Sequence, residues 1–115
     1  MGSASLNDVR VSPHFTLREF QCRCCGCVKL DARLLAALEE LRAVWGRPLV
    51  ITSGYRCPAR NAVIGGAPRS LHMAGRAADV HVPFSEQADF QKCARTIGCT
   101  EIIVGEKKNY VHIAC

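Results

Sequence analysis

The strongest pattern along the chain is helical. Leu34, Leu35, Leu38, Leu41 and Trp45 recur at spacings of three and four, which puts them on one helix face, while Glu39, Glu40 and Arg42 fall on the other. Asp31 stands where an N-cap is needed, Gly46 offers a stop and Pro48 forbids continuation, so a helix is predicted over 31–45. A second helix is predicted from a Ser85 cap to about Ile97, with Phe90, Ala94 and Ile97 inward and Gly98 ending it. Leu49 to Thr52 is rich in β-branched residues and reads as a buried strand, and Ala77 to Val82 reads as another. Glu101 to Val104 and Asn109 to Ala114 are expected to pair as a hairpin around Gly105-Glu106-Lys107-Lys108. Residues 54–71 hold three glycines and two prolines and are expected to be mostly loop, with a turn of helix at 58–63.

Before the first strong helix, Thr16 and Glu19 form a capping-box pattern for one short helical turn, docked by Phe15 and Phe20. Residues 1–13 are expected to be a flexible tail and 14–115 a single domain. Met1-Gly2-Ser3-Ala4-Ser5 lacks a basic start and a long apolar stretch, so it does not read as a secretory signal. The order helix, strand, strand, helix, hairpin implies an α+β domain, its helices packed on one side of a small, mainly antiparallel sheet.

Composition narrows this little further. The chain has 115 residues, which suits one domain, and 49% hydrophobic against 22% charged residues, which supports a packed core. No apolar run reaches the length of about 18 residues that a membrane span needs. The net charge of +5 favours anionic partners in general. The basic residues are scattered, however, and aromatics make up only 6%, so the footprint of a nucleic-acid binder is missing.

Chemistry enters through the strands. In 77–82, Val80 and Val82 point one way while Asp79 and His81 share the other face. In the last strand, Val111 and Ile113 face one way, and Tyr110, His112 and Ala114 the other. With these strands side by side, Asp79 and His112 meet, and His72, just before the turn at Gly75, can swing over them. Two imidazoles and one carboxylate make a three-ligand zinc site with the fourth position open for water. The spacing alone equally allows a surface His72, a capping Asp79 and a satisfied core His112.

Ser53-Gly54-Tyr55-Arg56, then Ser70-Leu71-His72-Met73-Ala74-Gly75-Arg76-Ala77-Ala78-Asp79, then Tyr110-Val111-His112 closely resemble the paired signatures and late histidine strand of the D-alanyl-D-alanine carboxypeptidase family of zinc peptidases. Phe15 to Phe20 and Asn61-x-x-x-Gly65-Gly66 are similar to its compact phage and bacterial branch. The resemblance spans about residues 14–114 and implies the hedgehog/D-Ala-D-Ala-peptidase type of α+β fold. It implies one zinc per chain held by His72, Asp79 and His112; a monomer is expected. The implied substrate is the peptidoglycan stem peptide, either trimmed of its terminal D-Ala or cut internally, as phage lysins of the family do. Arg56 would bind the substrate carboxylate or polarise the scissile carbonyl, and Ser70 would hydrogen-bond the substrate backbone or cap a turn.

A general base is also needed. Many relatives place a Glu three residues before the last histidine, where this chain has Asn109. Glu106, six residues before His112, is the candidate, at a spacing similar to that in the hedgehog domains. His81 is expected to hydrogen-bond a ligand or the substrate, with a structural histidine or an alternative ligand as the other readings. Many compact relatives carry Asp two residues after the last histidine, where this chain has Ala114, so the group that would orient His112 is not evident. A rival reading is a zinc-containing binding module of the same fold without catalysis.

The eight cysteines are Cys22, Cys24, Cys25, Cys27, Cys57, Cys93, Cys99 and Cys115. Cys22/Cys25 and Cys24/Cys27 are overlapping C-x-x-C pairs, but six consecutive residues can hardly supply four tetrahedral ligands. Disulfides from this loop to Cys57, Cys93, Cys99 or Cys115, a second metal, free thiols, or a redox or metal-storage role are all compatible with the sequence. Connectivity is not readable from it.

Overall fold

The computed structural model describes residues 7–99, 101–104 and 108–115. Its elements are strands β1 (Arg10–Ser12) and β2 (Phe15–Thr16), helix α1 (Ala32–Trp45), strand β3 (Ile51–Ser53), helix α2 (Pro58–Val63), strand β4 (Ala77–His81), helix α3 (Gln87–Arg95) and strands β5 (Glu101–Val104) and β6 (Tyr110–Ala114). Short 3-10 turns occupy Leu17–Phe20, Leu71–Ala74 and Phe84–Glu86. The principal sheet runs β3-β4-β6-β5 and every neighbouring pair is antiparallel. This is the expected α+β class.

Helix α1 forms as its pattern predicts. The Asp31 carboxylate accepts from the Arg33 N–H at 2.8 Å, and Gly46 N–H closes the far end on the Arg42 carbonyl at 3.0 Å. Leu34, Leu38 and Leu41 are fully buried. Trp45 meets Phe90 of α3 edge to face, ring centres 5.1 Å apart, which joins the two helices over the sheet. Beneath them lie Ala78, Val80, Val82, Val111 and Ile113, each almost wholly buried. Strand alternation then forces Asp79, His112 and their neighbours onto the opposite face of the same strands. The core side fixes the strands; the other side is free to carry chemistry.

Three boundaries differ from those expected. Only Ile51–Ser53 pairs with β4, with an irregular register between Ile51 and Ser53; Leu49 reaches the core while Val50 turns outward, 58% exposed. Ser85 does not cap α3, because Phe84–Glu86 first forms a 3-10 turn after Pro83 and leaves Glu86 at the N-cap. Regular structure also begins at Arg10, within the stretch expected to be tail. There Ser12 Oγ and the His14 N–H both donate to Glu39 Oε2 on α1, at 2.5 and 2.8 Å.

Two glycines set the loops around the site. A Cβ on Gly54 would stand 2.6 Å from the Phe20 Cα, and the next residue, Tyr55, donates its N–H to the Phe20 carbonyl at 2.8 Å. Gly75 has φ +70° and lies so close to Lys29 that a Cβ would meet its carbonyl carbon at 2.6 Å. The loop leaving β3 and the turn entering β4 are therefore pressed against the N-terminal half of the chain.

The structure decides the connectivity that the sequence leaves open. Cys99 and Cys115 are joined by a disulfide, Cα atoms 4.7 Å apart, whereas Cys22, Cys24, Cys25, Cys27, Cys57 and Cys93 are free. The bond links the chain just before β5 to the residue just after β6, and no bridge leaves the 22–27 loop.

Candidate metal centre

His72, Asp79 and His112 arrive from three places in the chain. His72 lies in the Leu71–Ala74 turn, whose start is capped by Ser70: its Oγ accepts from the His72 N–H at 3.2 Å. Asp79 is in the middle of β4 and is paired with His112 of β6. His72 Nε2 is 3.3 Å from Asp79 Oδ1, His112 Nδ1 is 3.2 Å from the same oxygen, and the two ring nitrogens are 3.3 Å apart. That triangle matches the edge of about 3.3–3.4 Å expected between ligands of a tetrahedral ion with bonds of about 2.0–2.1 Å.

The hydrogen bonds behind the triangle decide which atoms are free to ligate. His72 Nδ1 is 2.8 Å from the Gly54 carbonyl, which can only accept, so Nδ1 carries the hydrogen and Nε2 keeps its lone pair. His112 Nε2 is 3.0 Å from Glu101 Oε1; donating to that carboxylate leaves the Nδ1 lone pair facing inward. Two lone pairs and a carboxylate thus converge on one point, a donor set suited to a cation such as zinc. Protons compete with a cation for these atoms, because a proton on His112 Nδ1 is held by Asp79 Oδ1 at 3.2 Å. Burial pushes the Asp79 carboxyl up, but hydrogen bonds and charge from His112 and His72 overturn this and hold it at about 2. The hydrogen bond to Asp79 raises His112, burial opposes it, and Glu101 adds to the rise.

The triangle lies in a cleft of about 410 Å³ whose walls include Arg56, Ser70, Glu101, Ile103 and Tyr110. With this geometry the comparison with known proteins is direct: residues 13–114 match the profile of the Peptidase M15 family. The chain belongs to the peptidase M15 family. One curated relative is the zinc D-Ala-D-Ala carboxypeptidase of Streptomyces albus G, 34% identical over 67 residues. The match covers 57% of this chain and 26% of that protein, so the chain aligns with about a quarter of the relative's length.

In this M15 chain Arg56 is 16% exposed at its side chain and is aimed across the cleft. Its guanidinium donates to Ser53 Oγ at 3.4 Å, to Asn61 Oδ1 at 3.5 Å and to Asp79 Oδ2 at 3.5 Å. Asn61 is itself buried and donates to the Ala67 carbonyl at 2.9 Å, so it holds both the arginine and the loop beyond α2. Tyr55 is buried, with the Lys29 ammonium 5.8 Å from its ring centre. His81 stands apart. It is exposed at the end of β4, and its ring has no hydrogen-bond partner among the described residues. Asn109 accepts from the Phe84 N–H at 3.1 Å, a structural task. Glu106 lies outside the described residues.

Glu101 was not among the residues singled out from the sequence. It sits opposite Ala114 in the β5–β6 register, two residues from Ile103, which pairs with His112. Alternation along β5 carried the available signal, since Glu101 and Ile103 share one face; the missing information was the register that sets that face beside His112.

Proposed function

We propose that this chain is a zinc peptidase that hydrolyses D-Ala-containing peptides of the bacterial cell wall, its metal held by His72, Asp79 and His112. The observation that carries this reading is the triangle of ligand atoms, with edges of 3.2 to 3.3 Å, each histidine oriented by an acceptor behind it. Zinc held there would supply a Lewis acid that makes water nucleophilic near neutral pH.

The residues of the chain divide the remaining work. Arg56 presents a fixed fork of donors to the substrate's terminal carboxylate or to the oxygen of the scissile carbonyl. Ser70 caps the turn that bears His72 and also borders the cleft, so its hydroxyl is shared between the two tasks. Glu101 keeps His112 in the tautomer that ligates. Glu106 is assigned as the group that takes the proton from water and passes it to the leaving amine. His81 is left without a role at the metal. No helix among the described residues is long and apolar enough to cross a membrane.

The test couples metal content to hydrolysis. Wild type, His72→Ala and Glu106→Gln are assayed for zinc and for release of D-Ala or internal cleavage of a synthetic stem peptide. Zinc and activity lost together in His72→Ala, with zinc kept and activity lost in Glu106→Gln, is the expected result. Zinc bound by wild type without any hydrolysis would instead identify a binding module.

A further inference from the structure

The fold brings together four cysteines that the sequence keeps apart. Cys22, Cys24 and Cys25 lie in the loop that follows the Leu17–Phe20 turn, and Cys57 is the N-cap of α2, next to Arg56. Their sulfurs all lie within 4.8 Å of one another. Cys24 Sγ is 3.5 Å from Cys22 Sγ and 3.3 Å from Cys57 Sγ. Four sulfurs bound to zinc at about 2.3 Å would be about 3.8 Å apart, so the present spacings lie within reach of that arrangement once Cys24 shifts slightly away from its two neighbours.

We propose that Cys22, Cys24, Cys25 and Cys57 form a second metal site, a closed tetrathiolate site for zinc that ties the 22–27 loop to the start of α2. This inference is independent of the activity proposed for the cleft.

Three further observations support a metal over disulfides. First, Cys24 touches two sulfurs at nearly equal distance, an arrangement of sharing and not of pairing. Cys99 and Cys115, by contrast, have a single partner each and are bonded. Second, backbone N–H groups already point at the sulfurs: Cys57 N–H donates to Cys22 Sγ at 3.4 Å and Arg60 N–H to Cys57 Sγ at 3.5 Å. Such donors stabilise thiolates, the form that binds metal. Third, the loop is closed on itself, with Cys22 N–H donating to the Cys27 carbonyl at 2.7 Å and Gly26 N–H to the Cys22 carbonyl at 2.9 Å. The steric objection to a metal here, that six consecutive residues cannot surround an ion, is removed because the fourth ligand comes from Cys57. Four soft thiolates suit zinc over the hard divalent ions and, with all four bound, leave no open coordination position, so the site is structural. Its effect is to clamp the backbone that carries Arg56.

The test uses the wild-type protein purified with zinc in the medium. Two zinc ions per chain are expected, of which one is released as an organomercurial titrates the six free thiols, while the other leaves only on chelation. In His72→Ala/His112→Ala, about one zinc per chain is expected to remain. Cobalt in its place should show a thiolate-to-cobalt charge-transfer band that weakens in the same background with Cys57→Ser. If neither preparation holds mercurial-releasable zinc, and intact mass shows further disulfides or alkylation labels these four thiols freely, the proposal fails. Iron found there in place of zinc also overturns it. The mercurial titration needs no variant, so the outcome does not depend on whether Cys57→Ser folds.

Discussion

Glu101 reaches from β5 to His112 on β6, its carboxylate 3.0 Å from the ring nitrogen that faces away from Asp79. It does so from the position paired with Ala114, the residue two beyond His112 on β6. The ring is thus fixed by a carboxylate from the neighbouring strand. Replacing it with Glu101→Ala should weaken zinc binding by about tenfold, near the low end of the 10–100-fold usual for such partners because the side chain is half exposed. Glu101→Gln, which keeps an acceptor oxygen, should lie between the two. Competition with a chromophoric chelator measures this; equal affinities in all three proteins would remove Glu101 from the site.

Arg56 should matter to turnover and not to metal. Arg56→Lys keeps the charge but loses the planar fork, and is expected to lower kcat/KM on a D-Ala-terminated peptide by about 10²–10³, the usual loss for one transition-state donor. Its zinc content should match wild type. A fall in zinc alongside the rate would mean that Arg56 acts through Asp79, which it touches at 3.5 Å.

The close approaches at Gly54 and Gly75 predict stability losses from single methyl groups. Gly54→Ala drives a Cβ into the Phe20 backbone, and Gly75→Ala adds a left-handed residue to a similar clash with Lys29. Each should cost about 1–3 kcal/mol, with Gly75→Ala the larger because its positive φ adds about 1–2 kcal/mol. Urea unfolding would report both, and an unchanged midpoint for either would show that the facing backbone yields.

The cap on α1 predicts a pH signature. Hydrogen bonds from the Arg33 side chain and backbone pull Asp31 down to about 2. A carboxyl depressed on folding stabilises fully above its unfolded value of about 3.9 and loses that contribution as pH falls toward 2. The Tm advantage of wild type over Asp31→Asn should therefore be complete at pH 6 and shrink between about pH 4 and pH 2. A gap that stays constant across that range would assign the difference to something other than this charge.

Much of this molecule is local and therefore legible. Helix α1 follows from five apolar positions and two end signals, and the two-faced strands follow from alternation around Asp79 and His112. The motif positions His72, Asp79, His112 and Arg56 do converge in the fold. What alternation cannot supply is register between strands, and Glu101 was missed for that reason. Distance in sequence left Cys57 as one of four candidate partners for the 22–27 loop, and left the bond between Cys99 and Cys115 as one of many permissible pairings. The edges of β3 and α3 were misplaced because an irregular register and a 3-10 turn override local preference.

The disulfide between Cys99 and Cys115 has a consequence for the integrity of the cleft. With a sequence separation of 16, it makes β5, the segment after it and β6 into one covalent ring that contains both His112 and Glu101. A protease that severed the backbone once anywhere inside that ring would not release a fragment: the histidine and the carboxylate that orients it would stay attached to the rest of the chain. Damage there could be tolerated in an oxidising milieu and would become disabling only after reduction.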